Sequence, residues 1–130
     1  VAIGAYQLEQ AIQARVRLHR HGIEAALVYL GEPARCRTPR DAREADYVHD
    51  EATLAHWFPA SVPRVILSHT RPEPMLGLLR RIDTGPATTI ALGFINRGGT
   101  LDVPGLLFAN RCTWAHAIDA VAGVLGHPRE

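Results

Sequence analysis

Apolar positions along this chain fall into four short runs, separated by stretches whose spacing is helical. Val1 to Ala5 is the first run and reads as a strand. Tyr6 to His21 then carries Leu8, Ala11, Ile12 and Leu18 at helical intervals, with Gln, Arg and Glu on the other side, which predicts an amphipathic helix. Gly22 stands where a left-handed C′ residue would stop it. Ile23 to Leu30 is almost wholly apolar, the pattern of a strand covered on both faces. Val65 to His69 predicts a third strand and Thr88 to Phe94 a fourth.

The segments between these runs are less uniform. From Gly31 to Pro63 charges are dense, and Pro33, Pro39, Pro59 and Pro63 interrupt any regular element. Thr38-Pro39 is read as one helix start, and Asp50 as the cap of a second helix running to Phe58, within a long surface connection. Thr70 and Glu73 have capping-box spacing ahead of Met75, Leu76, Leu78 and Leu79. Arg71 as the cap suits the prolines better, because Pro74 has no N–H to give. Thr113 begins the last helix, with Trp114, Ile118, Val121 and Leu125 on one face and Gly126 at its end. Alternating strands and helices predict a single α/β domain over residues 1–130, three-layered α/β/α with a mostly parallel sheet.

Composition narrows the function classes. Hydrophobic residues make up 47% of 130 and the net charge is +1, which fits a globular core and gives no field broad enough for nucleic acid. No apolar run is long enough to span a bilayer, and no signal-peptide pattern opens the chain. Cys36 and Cys112 are far apart and match no zinc or redox spacing, so a reduced, cytoplasmic protein is expected. Because the chain opens directly on a core strand, it is expected to be a piece of a longer protein.

The segment from Gly93 to Gly105 carries the strongest local signal. Gly98 and Gly99 in tandem, followed by Pro104-Gly105, describe a loop whose backbone another surface can approach closely. His69 falls at the C-terminal end of a predicted strand, where open α/β sheets place ligands. With Thr70, Arg71, Arg97 and the amides of Gly98 and Gly99 it defines an anion cradle for phosphate or carboxylate. The competing account is a plain turn and helix cap with a solvated arginine.

Other chemistry is less supported. His19 and His21 are spaced two apart and share no helix face, while His49 and His56 lack a third convergent ligand. His116 reads as a packed or half-exposed histidine, Asp102 as a loop residue and Asp119 as a helix surface residue. Ser61 and Ser68 lack a nucleophile elbow. Cys36, between Arg35 and Arg37, would have a lowered thiol pKa if exposed but has no partner histidine placed by sequence. Cys112 reads as a buried structural thiol despite its arginine neighbour. Arg35 to Arg43 is interleaved with acids, and its nearest aromatic is Tyr47, a poor nucleic-acid pattern.

Several segments together resemble one family. Val1-Ala2-Ile3-Gly4-Ala5 running into a helix, the step Gly22-Ile23-Glu24-Ala25-Ala26-Leu27-Val28, the loop from Gly98-Gly99 to Pro104-Gly105-Leu106-Leu107, and Trp114-Ala115-His116 with Ile118-Asp119-Ala120-Val121 are similar to the C-terminal domain of transketolase-type thiamine-diphosphate enzymes. The closing helix is most like that of phosphoketolases. The resemblance implies a mixed, mostly parallel sheet and a structural, dimer-contact role in an enzyme acting on ketose phosphates. It also implies two larger upstream domains, fused or as a separate subunit, and a homodimer. Those domains hold thiamine diphosphate and a divalent metal, magnesium, through a Gly-Asp-Gly motif and an Asn pair. No Gly-Asp-Gly occurs here, so the resemblance implies a domain that by itself holds no cofactor and is inactive, without nucleic-acid or membrane partners. Two rival readings are a regulatory module binding an anionic metabolite at the Gly98-Gly99 loop with Arg71 or Arg97, and a small hydrolase using His69 or a cysteine.

Overall fold

The computed structural model describes residues 1–95 and 101–126. Three strands, β1 (Ala2–Ile3), β2 (Arg64–Ser68) and β3 (Thr89–Leu92), form a sheet in that spatial order. All are parallel, with Ala2 opposite Leu67 and Arg64 opposite Thr89. The expected sheet was mixed; among the described residues no antiparallel strand occurs.

The run from Ile23 to Leu30 departs from its expected form. It lies beside β1 as an extended edge, bridged only at Tyr29 to Ala2. The Ala2 N–H donates to the Val28 carbonyl at 2.9 Å, and the Leu30 N–H donates to the Ala2 carbonyl at 2.9 Å. β1 is two residues long and cannot support a longer ladder. The edge position also leaves Glu24, Ala26 and Tyr29 exposed rather than covered on both faces.

Successive residues of a strand point to opposite faces, and the core divides accordingly. Ile3 and Ile66 enter one cluster, with Leu54, Phe58, Met75, Leu79 and Ile82. Ala2 and Leu67 enter the other, with Ala11, Ala14 and Ala117. Helices α3 (Glu51–Trp57) and α4 (Pro72–Leu78) therefore cover one face, and α1 (Ala5–Arg20) and α6 (Trp114–Leu125) the other. The molecule is an α/β/α fold. Alanines at the buried positions of α1 and α6 let these helices approach closely. Their ends are pinned by the Trp114 N–H donating to Gln10 Oε1 at 2.8 Å and by Arg17 stacked 3.8 Å over the Trp114 ring.

Local chemistry sets most helix ends. Leu18, His19, Gly22 and Ile23 close α1 in a Schellman motif, with Gly22 at φ 77°. Asp50 caps α3 by accepting from the Thr53 N–H at 2.7 Å. Arg71 is the N-cap residue of α4, with Pro72 in its first turn. Thr113 caps α6, and Gly126 ends it at φ 71°. Thr38-Pro39 does not open a helix. A 3₁₀ turn precedes it at Pro33–Cys36, and α2 (Ala42–Ala45) starts instead at Asp41, which accepts from the Glu44 N–H at 2.8 Å. Asp102 is the N-cap of α5 (Val103–Ala109) rather than a plain loop residue, accepting from the Gly105 N–H at 2.8 Å.

Candidate functional site

From β1 the chain turns to the sheet edge at Tyr29, and it later re-enters on the other side of β1 as β2. Helices following β1 and β2 consequently diverge, α1 to one face and α4 to the other. The crevice between their starts is the switch point at which parallel sheets expose their strand ends to ligands. Here it is bounded by Gly4 after β1 and by Ser68, His69 and Thr70 at the end of β2.

Gly4 has φ 113°, and a Cβ there would overlap Gln7 Oε1 and lie 3.2 Å from His69 Nδ1. A glycine is therefore needed for both side chains to fold over the strand end. His69 Nδ1 lies 3.1 Å from the Ile3 carbonyl oxygen, which can only accept. Nδ1 therefore carries the proton in the neutral ring, and Nε2 keeps its lone pair. Ser68 is 1% exposed. Its Oγ accepts from the Thr70 N–H at 3.1 Å and pairs with Thr70 Oγ1 at 3.1 Å. The Thr70 carbonyl in turn accepts from the Phe94 N–H at 2.9 Å, and it passes so close to Gly93 that a side chain there would collide with it.

A cavity of about 160 Å³ opens at this crevice. Ser68, Gln7, Asn110 and Cys112 contribute to its lining together with His69, Tyr6, Phe94 and three aliphatic residues of α5, Val103, Leu106 and Leu107. Asn110 is held in place: its Oδ1 accepts from the Ile95 N–H at 2.6 Å and its amide donates to the Leu106 carbonyl at 2.8 Å. Burial pushes the Cys112 thiol up to about 11, with Sγ 3.9 Å from the Ser68 carbonyl. Burial also raises Cys36, against the opposing charges of Arg81 and Arg35. Neither thiol is poised as a nucleophile at neutral pH.

Of the residues expected to cradle an anion, His69 lines the cavity and Thr70 braces its edge. Arg71 does not join them. Its side chain is exposed, with Nε 3.9 Å from Glu73, and it is absent from the lining. Arg97, Gly98 and Gly99 lie outside the described residues. Among the described residues the remaining histidines are scattered. His19 pairs with exposed Glu24 at 2.5 Å, His49 packs edge-on against Trp57, and His116 caps α6. Among the described residues no three His, Cys, Asp or Glu converge in a group that could hold a metal ion. No helix among them is long and apolar enough to cross a membrane.

Gln7 and Asn110 were not foreseen. The helical pattern assigns Gln7 to the polar side of α1, yet it is 7% exposed. A polar residue in the first turn after a glycine at a strand end was the signal available. A second, larger groove of about 210 Å³ lies at the opposite end of the strands. It is mainly apolar, with Leu18, Ile23, Val28, Phe58, Val65 and Val121 among its walls. No protein-family model matches the chain, and no curated protein matches it.

Proposed function

We propose that this chain is the C-terminal domain of a transketolase- or phosphoketolase-like enzyme acting on ketose phosphates. Its role there is to pack against the thiamine-diphosphate-binding domains and the second subunit of a homodimer. On this reading thiamine diphosphate and its magnesium ion, held by those partner domains, stabilise the carbanion formed when a donor ketose is cleaved next to its carbonyl. The domain contributes an interface rather than a reacting group.

The observation that carries the reading is the connection between β3 and α6. Phe94 and Ile95 are each 38% exposed, Leu101 is 47% exposed and Phe108 is 70% exposed. One connection thus presents four large apolar side chains to water, which supports a partner packing against it. Helices on both faces of a parallel sheet agree with the family's C-terminal domain. Two free, buried cysteines suit a reducing cytoplasm, which is part of the proposal.

The coding sequence upstream of Val1, or a neighbouring gene, provides the test. The reading expects a Gly-Asp-Gly segment followed by an Asn pair in a polypeptide that co-purifies with this one. A stop codon just upstream, with no such polypeptide associated, would overturn it.

A further inference from the structure

We propose that the cavity at the switch point is a binding site for a small, uncharged, single-ring compound bearing an amide edge, a carbonyl oxygen next to an N–H. The inference does not depend on the enzyme family to which the domain belongs.

The decisive side chain is Gln7. It is 93% buried, lines the cavity and makes no hydrogen bond to another of the described residues. Ser68 and Asn110, which share the lining, are engaged with Thr70, Ile95 and Leu106. Among the described residues Arg64 Nε is the buried side-chain polar atom without a partner, so the Gln7 amide is open to the cavity it lines, where water or a ligand can meet it. An amide offers one donor and one acceptor side by side. Its complement is a group with an acceptor beside a donor, the pairing by which glutamine reads the edge of a base.

The rest of the lining selects the remainder of the ligand. Phe94, Val103, Leu106 and Leu107 supply apolar surface against which a ring would pack. About 160 Å³ exceeds the space of a single bound water and suits a compound of one ring. Among the described residues no arginine and no carboxylate contributes to the lining, and Arg71 sits beside Glu73. The described lining residues would offer a full charge no opposite charge to meet it, which favours an uncharged ligand over phosphate. His69 Nε2 and the Tyr6 hydroxyl remain as further partners at the mouth, both from exposed residues.

The test uses the 130-residue chain with uracil, nicotinamide and inorganic phosphate as probes, followed by ligand-observed NMR and by amide shifts of the protein. Saturable binding of uracil or nicotinamide is expected, with the largest shifts at Gln7, His69 and Leu107. Gln7→Leu should weaken it about tenfold, the scale of one lost buried hydrogen bond. Leu107→Trp, which fills the cavity from α5, should abolish it, and Arg71→Ala should leave it unchanged. An unchanged melting temperature in Gln7→Glu provides the folded control should Gln7→Leu unfold. Binding of phosphate in preference to either ring, binding indifferent to Gln7, or no saturation by either ring with the folded protein would each overturn the proposal.

Discussion

His69 Nδ1 donates to the carbonyl oxygen of Ile3 at 3.1 Å, tying the end of β2 to the end of β1 across the sheet. The same carbonyl accepts from the His69 backbone N–H at 3.2 Å. An acceptor-only partner fixes the tautomer, so nitrogen-detected NMR of the neutral ring should find Nδ1 protonated and Nε2 bare. The opposite tautomer would mean that the ring does not bridge the strands.

Gly4 and Gly77 should respond in opposite senses to alanine. At Gly4 a methyl group meets Gln7 and the backbone is at φ 113°, so Gly4→Ala should destabilise by about 2 kcal/mol. Gly77 lies within α4 with nothing near its Cβ position, and Gly77→Ala should stabilise by roughly 0.5–1 kcal/mol through helix propensity. Urea denaturation of the two variants measures both.

Arg64 is the second polar residue whose role is tertiary. It is 7% exposed, and its guanidinium donates to the carbonyls of Pro59 at 2.6 Å, Val62 at 2.7 Å and Ile82 at 3.0 Å. These bonds join the loop after α3 and the 3₁₀ turn Arg80–Ile82 to the start of β2. Arg64→Met keeps the stem and removes the donors, and a loss on the order of 3 kcal/mol is expected from three bonds to a charged donor left unmade. A change below 0.5 kcal/mol would show that the carbonyls are satisfied without it.

His116 makes stability depend on pH. Its Nδ1 lies 2.7 Å from Thr113 Oγ1 and accepts from the Thr113 N–H at 3.4 Å. Burial, reinforced by Arg111 and opposed by Asp119, holds the ring below its ordinary value of 6.5. The unfolded chain therefore binds the proton more readily. Stability from this group is complete above pH 6.5 and is lost as pH falls toward the lower folded value, with no further loss below it. His116→Gln retains a capping-box side chain and removes the titration, so the melting temperature of the variant should fall less between pH 7 and 5 than that of the parent.

The fold was legible where short-range chemistry decides it. Gly22, Asp50, Arg71, Thr113 and Gly126 each mark a helix end from within a few residues. The edge strand was overread because an apolar run records burial against something, not the length of the ladder beside it. β1 offers Ile23 to Leu30 only Ala2. Asp102 was taken for a loop residue because the glycines before it dominate that stretch, although Pro104 and Gly105 in the first turn are compatible with the helix it caps.

The candidate site was half legible. His69 follows from a strand end, a position visible in the sequence. Gln7 and Arg64 do not follow, because only the packing of separate elements decides which polar residues are enclosed. Arg71 shows the converse: it stands next to the site in sequence and turns away from it in space.

The central claim is that this domain is covered by the cofactor-binding domains of a larger enzyme. Sedimentation of the chain with the polypeptide encoded upstream, or alongside, measures it most directly. A stable complex is predicted, weakened at least about 30-fold by Phe108→Asp, as for a central interface residue. A chain that sediments alone at every concentration, or a complex indifferent to Phe108, would contradict it.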